Sequence, residues 1–491
     1  MRLRSLVLGT LSVALAACSN TDNGNNSGGN PTPFAVAIFN GNQQTSIAGA
    51  TLATPLTVTV TDAAGAPVAG ATVTWFVTGG GGSVAPTTST TDANGRANTV
   101  FTLGATVGNQ TVSATNASAP TAVIFSATAN SNVPVAAPQL IASVPAPSGS
   151  TYAHDTFVRD GLAFALMWNS GVRIYDVGNG IRGGAPNNPV LVGSLVTNFN
   201  GLSGAFVHNA WWFQNPVTGQ KKYLFIGQEG PGAIGSASSG DIHIVDISNL
   251  ALPVEVGFIH IPGAGVHNFW MDEANQVLYA AYYNAGVVKI DVSGTLSGDM
   301  SSRITTQVKP GGTGNTYIWG VMLANGTLYA TDMLSGFWAL DPVTLATKGG
   351  GNNVPERYGS DQWVFGQYAY SGTWGNRGAV GNTLKVWTLG ANGAPTIADS
   401  LKIPSITTIS DVAITPDGKM LVLTAEGGSG QGLYIYNRTN PLKPVLVGSY
   451  LTPQGEHTGE VAVINGRTYV FCARDPGSPQ MDIFDITGLV P

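Results

Sequence analysis

Charge is what this sequence has least of. Asp, Glu, Lys and Arg make up 10% of its 491 residues, against roughly a quarter in an ordinary soluble protein. With 21 Lys and Arg and a net charge of −6, the chain has no basic footprint, and nucleic-acid partners are excluded. Two cysteines exclude a disulfide framework. No stretch approaches the length of uninterrupted apolar residues that a membrane-spanning helix needs. The patterns G-x-S-x-G, H-E-x-x-H, C-x-x-C and the Walker loop are missing, which disfavours nucleotide enzymes and simple zinc proteases. Histidine is scarce too, with six in all, so where each one falls carries information. Against these absences stand 65 glycines and a hydrophobic content of 43%. Many glycines, few charges and a Val/Thr-rich texture predict an all-β, turn-rich chain with an ample core.

Residues 1–18 begin with Arg2 and Arg4, continue through an apolar run from Leu6 to Leu15 and end Leu15-Ala16-Ala17-Cys18. The run has secretory length. The ending resembles a bacterial lipobox. That resemblance implies that Cys18 becomes the first mature residue, carries lipid and attaches the protein to a membrane without spanning it. Ser19, standing where Asp would retain a lipoprotein at the inner membrane, implies the outer membrane or the cell surface. The other reading of the segment is an ordinary signal peptide with Cys18 incidental. If Cys18 is acylated, Cys472 has no partner, and its strand-like surroundings predict a buried, inert thiol. Residues 19–33, SNTDNGNNSGGNPTP, lack side chains that could pack and read as a flexible tether.

Residues 34–129 change character. Leu56-Thr57-Val58-Thr59-Val60 alternates with period two, as a half-buried strand does. Short strands follow at regular spacing, separated by turn clusters such as Asp62 to Pro67 and Asp92-Ala93-Asn94-Gly95, with Trp75 as a core anchor. This predicts a β-sandwich. Asp92 to Gly95 lacks the closing Glu of a calcium loop and reads as a hairpin turn. The run D-x-x-G-x-P-V-x-G-x-x-V-x-W, with the later T-D-x-x-G-x-A and G-N-x-x-V-x-A, resembles bacterial Ig-like domains of group 1, the invasin/intimin kind. The resemblance implies a stalk module. Residues 130–137 read as a linker.

Residues 138–491 carry an internal repeat. Gly171 to Val177, Asp241 to Ile247, Val287 to Val292 and Gly336 to Asp341 share one strand pattern, and weaker copies follow at Thr383 to Thr388, Gly432 to Asn437 and Met481 to Asp485. Seven copies give about 50 residues per unit, the scale of a four-stranded propeller blade. The pattern resembles the LVIVD-repeat family, which implies a seven-bladed β-propeller. The seventh unit lacks a fourth strand. Pro138 to Val144 matches the fourth-strand segment Pro189 to Leu195 and has no preceding strands of its own. It is therefore expected to complete the last blade and close the ring from the N-terminal side.

Four of the six histidines, His154, His208, His267 and His457, stand where a unit's first strand begins, with Trp319, Asp361 and Asp411 nearby in other units. In the implied propeller these positions share one mouth of the central channel. Two roles are open for them. They converge as ligands for a transition metal, zinc or copper, or each locks a loop within its own blade, as the adjoining Asp or Asn favours. His243 and His260 read as ordinary sheet residues. Loops on the same mouth offer Glu229 and Glu426 as candidate general bases or further ligands, and Trp168, Tyr282, Asp332 and Arg474 as candidates for a ligand-binding rim. The expected function is a lipid-anchored binding or scaffold protein that meets protein or carbohydrate partners at the propeller face. The alternative is a metal-dependent oxidase or hydrolase using the His cluster.

Overall fold

The computed structural model describes residues 32–130, 137–198, 206–230, 232–312, 315–351, 353–354, 358–375, 380–475 and 477–489. Cys18, the tether up to residue 31 and most of the 130–137 linker lie outside them. The described residues are all-β apart from one 3₁₀ turn at Ser301–Arg303. Among them, no helix is long and apolar enough to cross a membrane. The chain divides into two compact units near residue 130.

The first unit has two antiparallel sheets, of four and five strands. Leu56–Thr61 and Arg96–Thr102 lie in one, and Thr72–Gly79 and Gly108–Thr115 in the other. Alternate residues turn inward, as period two requires. Leu56, Val58 and Val60 are fully buried, and so is Val73 beside Trp75. Trp75 packs on Phe125 with ring centroids 5.9 Å apart. The Asp92 carboxylate accepts from the backbone N–H groups of Asn94 and Arg96, at 2.9 and 2.8 Å, so the expected turn forms. It is not a hairpin, however. Thr88–Thr90 before it and Arg96–Thr102 after it belong to different sheets. The same turn chemistry serves either connection, and only the pairing partners distinguish them.

The second unit has seven sheets, each built on four antiparallel strands in which neighbours along the chain pair side by side. Their first strands are Asp155–Arg159, Val207–Phe213, Phe269–Asp272, Ile318–Ala324, Tyr358–Phe365, Thr408–Ile414 and Thr458–Ile464, and the sheets are numbered 1 to 7 in that order. The recurring strand pattern falls on the third strand of every sheet, for example Val172–Asp176 and Gly336–Leu340. Each inner strand is buried on both faces, as the unbroken burial of Leu162–Leu166 shows. The second strands, such as Leu162–Leu166 and Val277–Tyr282, therefore read as largely apolar runs. Glycine recurs before the third strand because the chain turns there with positive φ against the fourth strand. A Cβ on Gly171 (φ 77°) or Gly286 (φ 94°) would lie 2.1 Å from a fourth-strand carbonyl oxygen.

Every neighbouring pair of sheets shares one apolar cluster. Sheets 1 and 2 bury Phe164 and Ile174 with Leu224 and Val245. The succession ends with sheets 7 and 1, which bury Phe471 and Ile483 with Ala165 and Tyr175. The cycle of sheets is thus closed. The fourth strand of sheet 7 is Gln139–Pro145, which pairs antiparallel with Gln480–Asp485 from Gln139–Asp485 to Pro145–Gln480. Ser143 also donates to the Asp482 carboxylate at 2.5 Å. Cys472 is buried between sheets 6 and 7, and burial pushes its thiol well above the ordinary range, so it is inert.

Candidate metal centre

The first strands carry consecutive residues toward the same side because several are bulged. Ladder register skips between Val207 and Ala210, Ile318 and Gly320, Gly359 and Gln362, and Ile409 and Asp411. A bulge sets two residues against one and re-aims their side chains. In sheets 1, 3 and 7 the histidine stands just ahead of the strand, with the same anchor each time. The backbone N–H groups of His154, His267 and His457 donate to Leu166, Ala281 and Ala473, all at 2.8 Å.

The four imidazoles converge. Ring centroids lie 4.1 Å apart for His154 and His208, 4.0 Å for His208 and His267, and 4.3 Å for His154 and His457. Trp319 of sheet 4 continues the layer, 4.2 Å from His267. Residues beside the histidines also tie neighbouring sheets together. Thr458 donates to the carbonyl of His154 at 3.1 Å, and Asp411 accepts from the Gly459 N–H at 2.7 Å. Each of these bonds ties one sheet to the next.

Carboxylates complete the cluster. Glu229 Oε2 is 3.6 Å from His154 Nε2 and 3.7 Å from His208 Nε2, and the Tyr283 hydroxyl donates to the other oxygen of Glu229. His457 Nδ1 faces Glu426 at 3.0 Å and Asp475 at 3.4 Å. Among the described residues, two triads bring one ligand atom each within 4.8 Å of one another: His154, His208 and Glu229, and His154, His457 and Asp475. Donors about 3–4 Å apart are what two bonds of 2.0–2.2 Å to one tetrahedral ion subtend.

Electrostatics divide the cluster. Burial, then the neighbouring imidazoles, hold His154, His208 and His267 well below the usual histidine range. They are neutral, the form that ligates metal. Burial also opposes a charge on His457, but Asp475, Glu426 and Glu229 outweigh it and raise that imidazole to about 10. Burial raises Glu229 to about 7 despite the Tyr283 hydrogen bond. His154 Nδ1, His267 Nδ1 and both ring nitrogens of His208 are buried with no hydrogen-bond partner. Each such orphan costs about 1–3 kcal/mol, so the donor set is one that a metal ion would satisfy.

Beside the cluster lies a recess whose walls include Ile234, Tyr283, Tyr317, Trp319, Met333 and Trp374. Trp168 and Tyr283 occupy equivalent places in W-N-S-G and Y-N-A-G and have positive φ, 45° and 29°. Bulky residues adopt this conformation only under constraint. It turns Trp168 flat onto His154 at 4.7 Å and Tyr283 edge-on to His267 at 4.9 Å.

The remaining expected rim residues lie elsewhere. Trp168 is itself buried against His154 rather than on an open rim. Tyr282 is fully buried between sheets 2 and 3. Its successor Tyr283 faces the site, a one-residue offset that aligning the W-N-S-G and Y-N-A-G turns would reveal. Asp332 is buried and holds its own loop, accepting from Thr316, Ser335 and the backbone N–H groups of Tyr317 and Leu334. Arg474 is buried in ion pairs with Asp482 and Glu456. His243 pairs with Glu255 and Gln228, and His260 with Asp241, all within sheet 2 or its edge.

Comparison with known families assigns the N-terminal unit. Residues 38–132 match the bacterial Ig-like domain (group 1), a domain that occurs in bacterial surface proteins. No curated protein matches the sequence.

Proposed function

We propose that the chain is a lipid-anchored, extracytoplasmic metal-binding protein. In this reading its seven sheets form a β-propeller of the LVIVD-repeat kind, held off the membrane by the Ig-like domain. Support for the propeller comes from the seven-sheet cycle and its closing strand; support for the anchor comes from the ending at Cys18 and the surface character of the Ig-like family. The observation that carries the metal reading is the convergence of His154, His208, His267 and His457, three of which, His154, His208 and His267, have buried, unpartnered ring nitrogens. His154, His208 and Glu229 would hold the ion directly; His267 stands beside them, and His457 would join only by releasing the proton that its carboxylates hold there. Zinc and copper both suit imidazole. Glu426 and Asp475 would orient His457, as carboxylates commonly orient metal-bound imidazoles.

A second reading, in which the metal serves a hydrolase or oxidase, is favoured by the aromatic recess beside Glu229. There the ion would supply Lewis acidity or redox chemistry, and Glu229 would hold or accept a proton next to bound substrate. Without such chemistry, the same face serves protein or carbohydrate partners. The test is elemental analysis of the purified full-length protein after stripping and reloading with zinc or copper. One ion per chain, lost in His154→Ala and in Glu229→Gln, is the expected result. A protein that takes up neither metal refutes the centre.

A further inference from the structure

A second cavity lies farther along the same first strands. Four carboxyl groups from four different sheets line it: Asp155, Asp361, Asp411 and Glu460. No Lys or Arg is among its lining residues. Burial and then Asp411 push Asp361 well above the carboxylate range, and burial, Asp155 and Asp411 do the same to Glu460. Gln362, 3% exposed, also lines the cavity, and its Oε1 is buried without a hydrogen-bond partner. Held protonated by burial and by one another, these acids would give up their protons to a cation that meets the charge, and a buried acceptor left unpaired stands beside them.

The lining also says which kind. Calcium takes oxygens at about 2.3–2.6 Å, so its ligands crowd within roughly 5 Å of one another. The only triads of acidic or histidine groups that come so close among the described residues lie in the His layer. The four carboxyls are therefore spread too widely for one bare ion. Two residues farther along the same first strands the lining is aromatic. Phe157, Trp211, Trp270 and Trp363 follow one another around the channel, with centroids 5.4, 5.3 and 6.2 Å apart. Indole faces attract cations, and most strongly in desolvated sites. Gly320, where other sheets carry Asp, Asn or Thr, keeps the space open, since a Cβ there would stand 3.0 Å from Asp361 Oδ1.

We infer that this channel cavity binds an organic ammonium ion, with its charge met by the carboxyls and its alkyl groups lying against the tryptophan faces. The inference does not depend on the metal centre.

The experiment titrates the full-length protein calorimetrically with choline, with its neutral isostere 3,3-dimethylbutan-1-ol and with calcium chloride. Choline is expected to bind at least about tenfold more tightly than the alcohol, a difference of about 1.4 kcal/mol. Glu460→Gln is expected to weaken choline several-fold and leave the alcohol unchanged. The charged and neutral probes are compared on the unaltered protein, so a variant that failed to fold would not remove the test. Equal affinity for the two probes, or no binding of either, overturns the inference. So does choline binding that a folded Glu460→Gln variant leaves unchanged. Stoichiometric calcium binding that excludes choline overturns it in favour of an inorganic cation.

Discussion

Replacing His208 with leucine separates a metal ligand from a structural lock. The side chain is 1% exposed, lies about 4 Å from two other imidazoles and leaves both ring nitrogens without a hydrogen-bond partner. In metal-free protein, those two orphans together cost about 2–6 kcal/mol. Leucine is of similar size and has nothing to satisfy, so it recovers part of that cost against imperfect packing. The expected net gain is about 1–3 kcal/mol, and each kcal/mol raises Tm by about 2–4 °C or somewhat less in a unit this large. In the presence of metal the gap closes or inverts. Wild type gains about 2.7 kcal/mol at a hundred times Kd, and the variant forfeits it. Differential scanning calorimetry in chelator, zinc and copper reads both effects, with metal content measured on the same samples. A variant less stable than wild type by the same margin in every buffer, with no metal-dependent shift in wild type, would show that His208 is a lock.

Three further outcomes are expected. Deleting residues 1–146 removes the Gln139–Pro145 strand and bares the edge at Gln480–Asp485, so it should lower the melting temperature of the seven-sheet unit well below that of a 1–130 deletion; equal values refute closure. Asp176 accepts backbone N–H bonds from Gly178, Asn179, Gly180, Arg182 and Gly184. Although burial opposes its charge, these bonds hold its pKa below the usual value. A lowered folded pKa gives stability that is present above the unfolded value, about 3.9, and is lost as pH falls through the folded one. Asp176→Asn should therefore cost about 1–3 kcal/mol at pH 7, with the gap to wild type closing below about pH 4 in urea melts. Cys18→Ser should move the protein from membrane to soluble fractions; continued sedimentation together with fatty-acid incorporation would refute acylation at that residue.

The strands were far more legible than the site. The third strands are legible because one pattern of apolar residues recurs in them, most clearly in the first four sheets, and Asp176, Asp246, Asp291 and Asp485 each stand at the end of one. The closing strand is legible for a related reason: Pro138 to Val144 reads as a fourth strand that nothing precedes. The bulges are not legible, because no residue type demands them, and they decide which of two successive side chains faces the channel. Tyr282 stands in for Tyr283 for another reason: the second strand ends at Tyr282, and the positive φ of Tyr283 turns the next side chain toward His267. Asp332 and Arg474 misled for a different reason. A charged residue at a loop suggests solvent, and only the folded loop reveals that its partners are already present.

The closing strand also sets a timetable for biosynthesis. Ser143 meets Asp482 across 339 residues of chain. At roughly 5–20 residues per second, the ribosome needs on the order of 20–70 s to supply that partner after the first strand emerges. Throughout that interval Gln139–Pro145 has no edge to join. A polypeptide terminated anywhere before residue 480 carries a permanently unpaired strand at its front and an unfinished sheet at its back. Two such chains hold the means to pair with each other, so premature termination exposes them to mutual aggregation and to surveillance by proteases.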